Sequence, residues 1–241
     1  MNKVCLVLGG GGARGLSFLG VLQVLGEAGV PVDCMVGSSM GAILGAAFCS
    51  GVPLPSLVSK AVRLRSTQFF RPSLFCQALS SHRAMWSIVE NLVPASNFED
   101  LRVPLTVVCT DLQKGVPVAF SAGPLVPAVV GSSILAGLFE PVVHEGRFLV
   151  DGGCTDPVPV RHAPEGCVNL VVDPSNLPDR PLPLTTKRTI RHAVKFNYAR
   201  QQAFKSIDIL IYRLGQERNC GCSGIYVVPD LGDMAFNVMR Q

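Results

Sequence analysis

The order of apolar and polar positions breaks the chain into short blocks of two alternating kinds. Residues 4–8, Val-Cys-Leu-Val-Leu, are apolar without a break, as in a strand buried on both faces. After a run of glycines, Leu16, Leu19, Leu22 and Leu25 recur at helical spacing, which predicts a helix over about 15–28 that stops at Gly29. Cys34-Met35-Val36 reads as a second short strand, and it turns at Gly37 into a helix of small residues from Met40 to Cys49. Residues 53–100 read as helical with breaks at prolines. Residues 105–111, rich in β-branched side chains, read as a third strand. Val118–Ser121 would pair beside it as an edge strand, because Pro117 stands just before it. Further strands are predicted at 147–151, 168–173 and 225–228, with a proline-rich loop at 174–183 and a long helix over about 185–214. Strands alternating with helices predict an α/β fold, a three-layer sandwich around a largely parallel sheet. At 241 residues, the chain is expected to form a single domain, residues 1–241.

Composition narrows this picture. Apolar residues make up 48% and charged residues 16%, so a large core is expected. No apolar run approaches the ~20 residues of a membrane span. The apolar run near the N-terminus is too short for a secretory leader and has no small-residue cleavage site behind it. Nine cysteines, an odd number scattered singly, suit small buried side chains in a reducing compartment, so a cytoplasmic location is expected. Cys220 and Cys222 lack a second pair at metal-ligand spacing, and neither a metal nor a cofactor is expected. A net charge of +4 is too small to argue for a nucleic-acid partner.

Two glycine motifs carry the candidate chemistry. Gly10, Gly12 and Gly15 satisfy G-x-G-x-x-G between a strand and a helix, the pattern of a dinucleotide loop. That reading needs a carboxylate at the end of the second strand. Asp33 has roughly the right spacing but precedes that strand. The strand instead leads into Gly37-Ser38-Ser39-Met40-Gly41, a G-x-S-x-G motif. There a serine on a sharp strand-to-helix turn needs glycine on either side. In a parallel sheet both turns open on one edge. The glycine loop could then present backbone N–H groups to an oxyanion formed at Ser39. Arg14 would add positive charge or brace the loop; as an alternative it is an exposed loop arginine.

The serine needs a base. His82, His144, His162 and His192 all lie within or beside predicted elements, none of them cleanly at a strand end before a turn. Asp151 ends a strand and is followed by two glycines that leave its carboxylate uncrowded. A dry site would raise its pKa toward the working pH. Asp111 is the second choice, and Asp173, before Pro174, reads as a turn residue.

Four pieces in order, Gly10–Gly15, Gly37–Gly41, Cys109-Thr110-Asp111-Leu112 and Val150-Asp151-Gly152-Gly153, resemble the patatin-like phospholipase family. The separation of Ser39 from Asp151 is of the size that family shows, and the resemblance is close over about residues 4–174. It implies a Ser–Asp dyad without histidine: Ser39 as nucleophile, Asp151 as base, and an oxyanion hole from Gly10, Gly11, Gly12 and Arg14, mainly Gly11 and Gly12. It also implies metal-independent, calcium-independent hydrolysis of a phospholipid or lysophospholipid ester. Ala136 and Asp156 depart from the family's usual proline and asparagine, which bears on substrate choice. Two rival readings are a nucleotide-binding protein using the glycine loop for phosphate, and a non-catalytic lipid-binding member of the same fold.

Lipid contact has two candidate segments. From Arg180 to Lys205 there are seven basic residues and no acidic one. The helix predicted there could lie on an anionic membrane, peripherally at an inner membrane surface, or pack its apolar stripe on the sheet. Phe69, Phe70, Leu74 and Phe75, set among arginines in 65–76, could form a lid, line an acyl pocket or belong to the core.

Overall fold

A computed structural model describes residues 3–63, 80–175, 206–207, 209–218 and 221–231. The segment 65–76, the basic stretch 180–205, His192 and Cys220 lie outside the described residues. In chain order the elements are β1 (Val4–Leu8), a 3₁₀ turn (Gly12–Leu16), α1 (Ser17–Glu27), β2 (Cys34–Ser38), α2 (Met40–Cys49), α3 (Leu54–Val62) and α4 (Arg83–Leu92). Beyond these come β3 (Leu105–Asp111), β4 (Val116–Phe120), α5 (Leu125–Gly131), β5 (Val142–His144), β6 (Arg147–Asp151), β7 (Val168–Val172) and β8 (Ile225–Val227).

One mixed sheet runs in the order β5-β6-β3-β2-β1-β7-β8, with β4 also paired to β3. Strands β3, β2, β1, β7 and β8 are parallel neighbours, and β4, β5 and β6 pair antiparallel. The parallel pairs need crossovers, as the alternating sequence predicts. β5 and β6 need only a tight turn. Glu145 and Gly146 supply it with φ of 47° and 70°, the twist that a two-residue hairpin requires.

The pleat divides β1 between two cores. Leu6 and Leu8 enter the larger one with Phe18, Leu22, Ile43, Leu57 and Val89 from α1 to α4. Cys5 and Val7 enter a smaller one with Val158, Val160 and Val171. Each fully buried Leu or Phe contributes about 1.5–3 kcal/mol. A helix over 209–218 covers the second face, with Gly215 close to Pro157 and Val158. Helices therefore lie on both sides of the sheet. Among the described residues no helix is long and apolar enough to cross a membrane.

Several boundaries differ from the sequence expectation. α1 starts at Ser17 because residues 12–16 wind as a 3₁₀ turn. Gly15 sits so tightly on Met40 that a Cβ there would come within 2.6 Å of its Cγ. β2 runs two residues beyond Val36, to Ser38. β4 begins at Val116 and contains Pro117, which is tolerated because β4 pairs on one side only. The 209–218 helix continues past residue 214, and its Gly215 allows the close approach to Pro157. α5 was not anticipated; five of its seven residues, LVPAVVG, are valine, proline or glycine, poor helix formers.

Candidate active site

Ser39 sits where β2 becomes α2, and the turn between them is abrupt. Its φ is 55° and its ψ −122°, a conformation costing about 1–3 kcal/mol unless the surroundings impose it. They do so by leaving no room. A Cβ on Gly37 would meet the Gly41 carbonyl oxygen at 2.6 Å, and one on Gly41 would collide with the carbonyl oxygen of Leu8. Two serines from the end of α5 clamp the turn. The Ser39 N–H donates to Ser132 Oγ at 2.9 Å, and Ser132 Oγ donates to the Val108 carbonyl at 2.6 Å. The single hydroxyl proton of Ser133 is shared between the Val129 carbonyl at 2.9 Å and the Ser39 carbonyl at 3.2 Å. Neither serine was identified from sequence as a site residue. They open the block from Gly131 to Val142 in which Ala136 stands where the resembled family commonly has proline.

Strand pairing brings Asp151 to Ser39. β2 pairs with the first part of β3, ending at Ser38 opposite Val108. β6 pairs with the last part, with Asp151 opposite Cys109. β4 spans both parts from the other side, so β2 and β6 share one edge of β3 and meet end to end. β6 runs antiparallel, which points its last residue at the last residue of β2. The gap is closed by Gly152, where a Cβ would collide with the Val108 carbonyl oxygen and approach Ser38 Oγ to 2.5 Å.

Across this junction Ser39 Oγ donates to Asp151 Oδ2 at 2.7 Å, between residues 112 apart in sequence. The other carboxylate oxygen, Oδ1, accepts from Gly153 N–H at 2.8 Å. Thr110 Oγ1 donates to the Asp151 carbonyl at 2.9 Å. Both residues are buried. Burial pushes the Asp151 carboxyl up to about 6, against the hydrogen bonds from Ser39 and Gly153, which lower it. A carboxylate that resists charge in this way accepts a proton near neutrality.

The glycine loop packs beside the serine. A Cβ on Gly10 would lie 3.5 Å from Ser39 Cβ. The Gly10 N–H is engaged, donating to the Pro157 carbonyl at 2.7 Å. The N–H groups of Gly11 and Gly12 have no acceptor among the described residues. Arg14 is buried at 3% exposure, not an exposed loop arginine, so its charge lies inside the protein.

The other candidates are placed elsewhere. Asp111 accepts from Gln113 and Lys114 N–H groups and from Arg147 Nη1 at 3.4 Å. Asp173 accepts from the N–H and hydroxyl of Ser175, as a turn residue does. Asp33 lies at the start of β2, where its Oδ2 accepts the Val4 N–H at 2.7 Å. That is the opposite end of the sheet from the glycine loop, so it cannot serve a ribose bound there. His82 faces Glu140 at 4.0 Å, His144 packs on Phe120 and His162 lies 3.3 Å from Asp156. Among the described residues, Ser39 Oγ is partnered by the carboxylate of Asp151 and by no histidine. No group of three or more His, Cys, Asp or Glu among them is arranged to hold a metal ion.

Comparison with known proteins matches the chain to a family. The profile of the patatin-like phospholipase family matches residues 6–164. An uncharacterised NTE family protein of Mycobacterium tuberculosis is 36% identical over 170 residues, covering 69% of this chain and 46% of that protein. A lysophospholipase, nte1, of Aspergillus fumigatus is 36% identical over 168 residues, covering 67% of this chain and 11% of its own length. The chain thus spans less than half the length of either relative. Among solved structures, VipD from Legionella pneumophila aligns with a TM-score of 0.55 at 16% identity, over 95% of this chain and 57% of that one. That likeness is one of fold.

Proposed function

Because the chain belongs to the patatin-like phospholipase family, we propose that it hydrolyses carboxylic esters of lipids, phospholipids or lysophospholipids, through a Ser39–Asp151 dyad. The observation that carries this reading is the 2.7 Å hydrogen bond from Ser39 Oγ to Asp151 Oδ2 at a buried, strained strand-to-helix turn. Ser39 Oγ attacks the ester carbonyl carbon as its proton passes to Asp151 Oδ2. The carbonyl oxygen becomes negative and is met by the Gly11 and Gly12 N–H groups, with the buried Arg14 and the start of α2 adding positive potential. Gly10 contributes close approach rather than a donor, since its N–H is held by Pro157. Collapse of the intermediate breaks the ester C–O bond, and Asp151 returns the proton to the leaving alcohol. A water then gives one proton to Asp151 as it attacks the acyl-enzyme carbonyl; the bond to Ser39 Oγ breaks, Asp151 returns the proton to Ser39 Oγ, and the fatty acid leaves. The fungal relative's name, lysophospholipase, supports a lysophospholipid among the substrates. Calcium has no part in these steps, and contact with an anionic membrane would serve only to deliver substrate.

The test is fluorophosphonate labelling of the purified chain with mapping of the modified peptide, alongside hydrolysis of a lysophospholipid in EDTA. A single adduct on Ser39 is expected, with turnover equal in EDTA and in calcium. Hydrolysis that survives Ser39→Ala, or an adduct on another residue, would sink the assignment.

A further inference from the structure

The segment from Asp151 to His162 links the base to the glycine loop, and it holds a carboxylate–imidazole contact that the dyad does not use. Asp156 is 1% exposed. Its N–H donates to the Gly152 carbonyl at 2.8 Å. Its Oδ2 lies 3.3 Å from His162 Nε2, and its Oδ1 is buried with no hydrogen-bond partner among the described residues. His162 reaches inward from the 3₁₀ turn Val160–His162, with its side chain 24% exposed. Between the two residues lies the surface on which the glycine loop rests. The Pro157 carbonyl accepts the Gly10 N–H at 2.7 Å, and a Cβ on Gly9 would stand 3.1 Å from Val158 Cγ2.

A carboxylate buried this deeply is costly alone and tolerable beside an imidazolium. The contact also ties the two ends of the 156–162 loop together, which fixes the direction of the Pro157 carbonyl. We propose that Asp156 and His162 are positioning residues, a buried carboxylate–imidazole strut. It holds the Pro157 carbonyl on Gly10 and thereby aims the Gly11 and Gly12 N–H groups at the oxyanion. The inference rests on the hydrolase reading of the Ser39–Asp151 site. Loss of the imidazole strands a charge in the interior, and the loop relaxes to solvate it. A second change that removes the charge should therefore restore the geometry.

The experiment measures hydrolysis of p-nitrophenyl butyrate, and the rate of fluorophosphonate labelling, for the full chain and for His162→Ala, Asp156→Asn and the double variant. His162→Ala is expected to lower kcat about 10- to 100-fold, as misplaced donors do. KM should stay within about twofold, and labelling should slow in parallel. Adding Asp156→Asn should recover most of the loss, which general damage to the fold would not allow. If His162→Ala does not fold, His162→Gln carries the same comparison. The strut is refuted by an unchanged kcat, by a loss confined to KM, or by a loss that the double variant fails to recover, provided turnover depends on Ser39. Turnover absent from the parent, or independent of Ser39, overturns the hydrolase reading and the strut with it.

Discussion

Asp151→Asn separates what the buried carboxylate does for chemistry from what it costs the fold. The side chain is 5% exposed, and burial lifts its pKa to about 6, while bonds from Ser39 and Gly153 pull it down. In the unfolded chain an aspartate titrates near 3.9. The folded state therefore holds the proton more tightly. Its contribution to stability is fully present below about pH 4, and is lost as pH rises through about 6. A difference of about 2 units, at about 1.36 kcal/mol each, is about 3 kcal/mol. Asparagine resembles the protonated acid and has no such pH dependence. Between pH 4 and pH 8 the variant should gain about 3 kcal/mol on the parent, or about 6–12 °C in Tm for a chain of this size. The assay is urea unfolding of both proteins at both pH values. Every other titrating group cancels in the double difference. The same variant should lose about 10²–10⁴ in turnover, the range for a general base. A stability difference that is flat with pH, or that moves in favour of the parent at pH 8, would refute the reading of Asp151 as a desolvated base.

The same geometry sets two further outcomes. The kcat/KM of ester hydrolysis should rise with pH through about 6 to a plateau, because Asp151 accepts a proton only when ionised. A profile governed instead by a group that must be protonated near pH 6 would contradict the dyad. Ser132→Ala removes the acceptor of the Ser39 N–H and the donor to Val108. It should destabilise by about 1–3 kcal/mol and lower turnover, read by thermal unfolding and by ester hydrolysis; full activity at parental stability would show that the clamp does not hold the turn.

The local pieces of the candidate site were legible in the sequence because short-range geometry sets them. An apolar strand, a serine between two glycines and a small-residue helix specify the turn at Ser39 within a few residues. Asp151 was legible as a carboxylate at a strand end before two glycines, and the N–H groups of Gly11 and Gly12, which have no acceptor among the described residues, lie in the run that marked the loop. That Asp151 meets Ser39 was implied only by the family resemblance; the strand pairing that brings them together was not legible. Side-chain periodicity reports which face of a strand is buried and says nothing of which strand lies beside it. That β6 turns back antiparallel and abuts β2 on one edge of β3, so that Ser39 meets Asp151, is decided by sheet pairing. The same pairing of distant segments buries Arg14, seats Ser132 on the Ser39 N–H and rests Gly10 on Pro157. Asp156 and His162 looked like a departure from a motif and an unremarkable histidine, six residues apart. Only the folded chain removes water from around that carboxylate and leaves the imidazole facing it. Solvation and through-space contact belong to the tertiary structure, whereas turn chemistry and periodicity belong to the sequence.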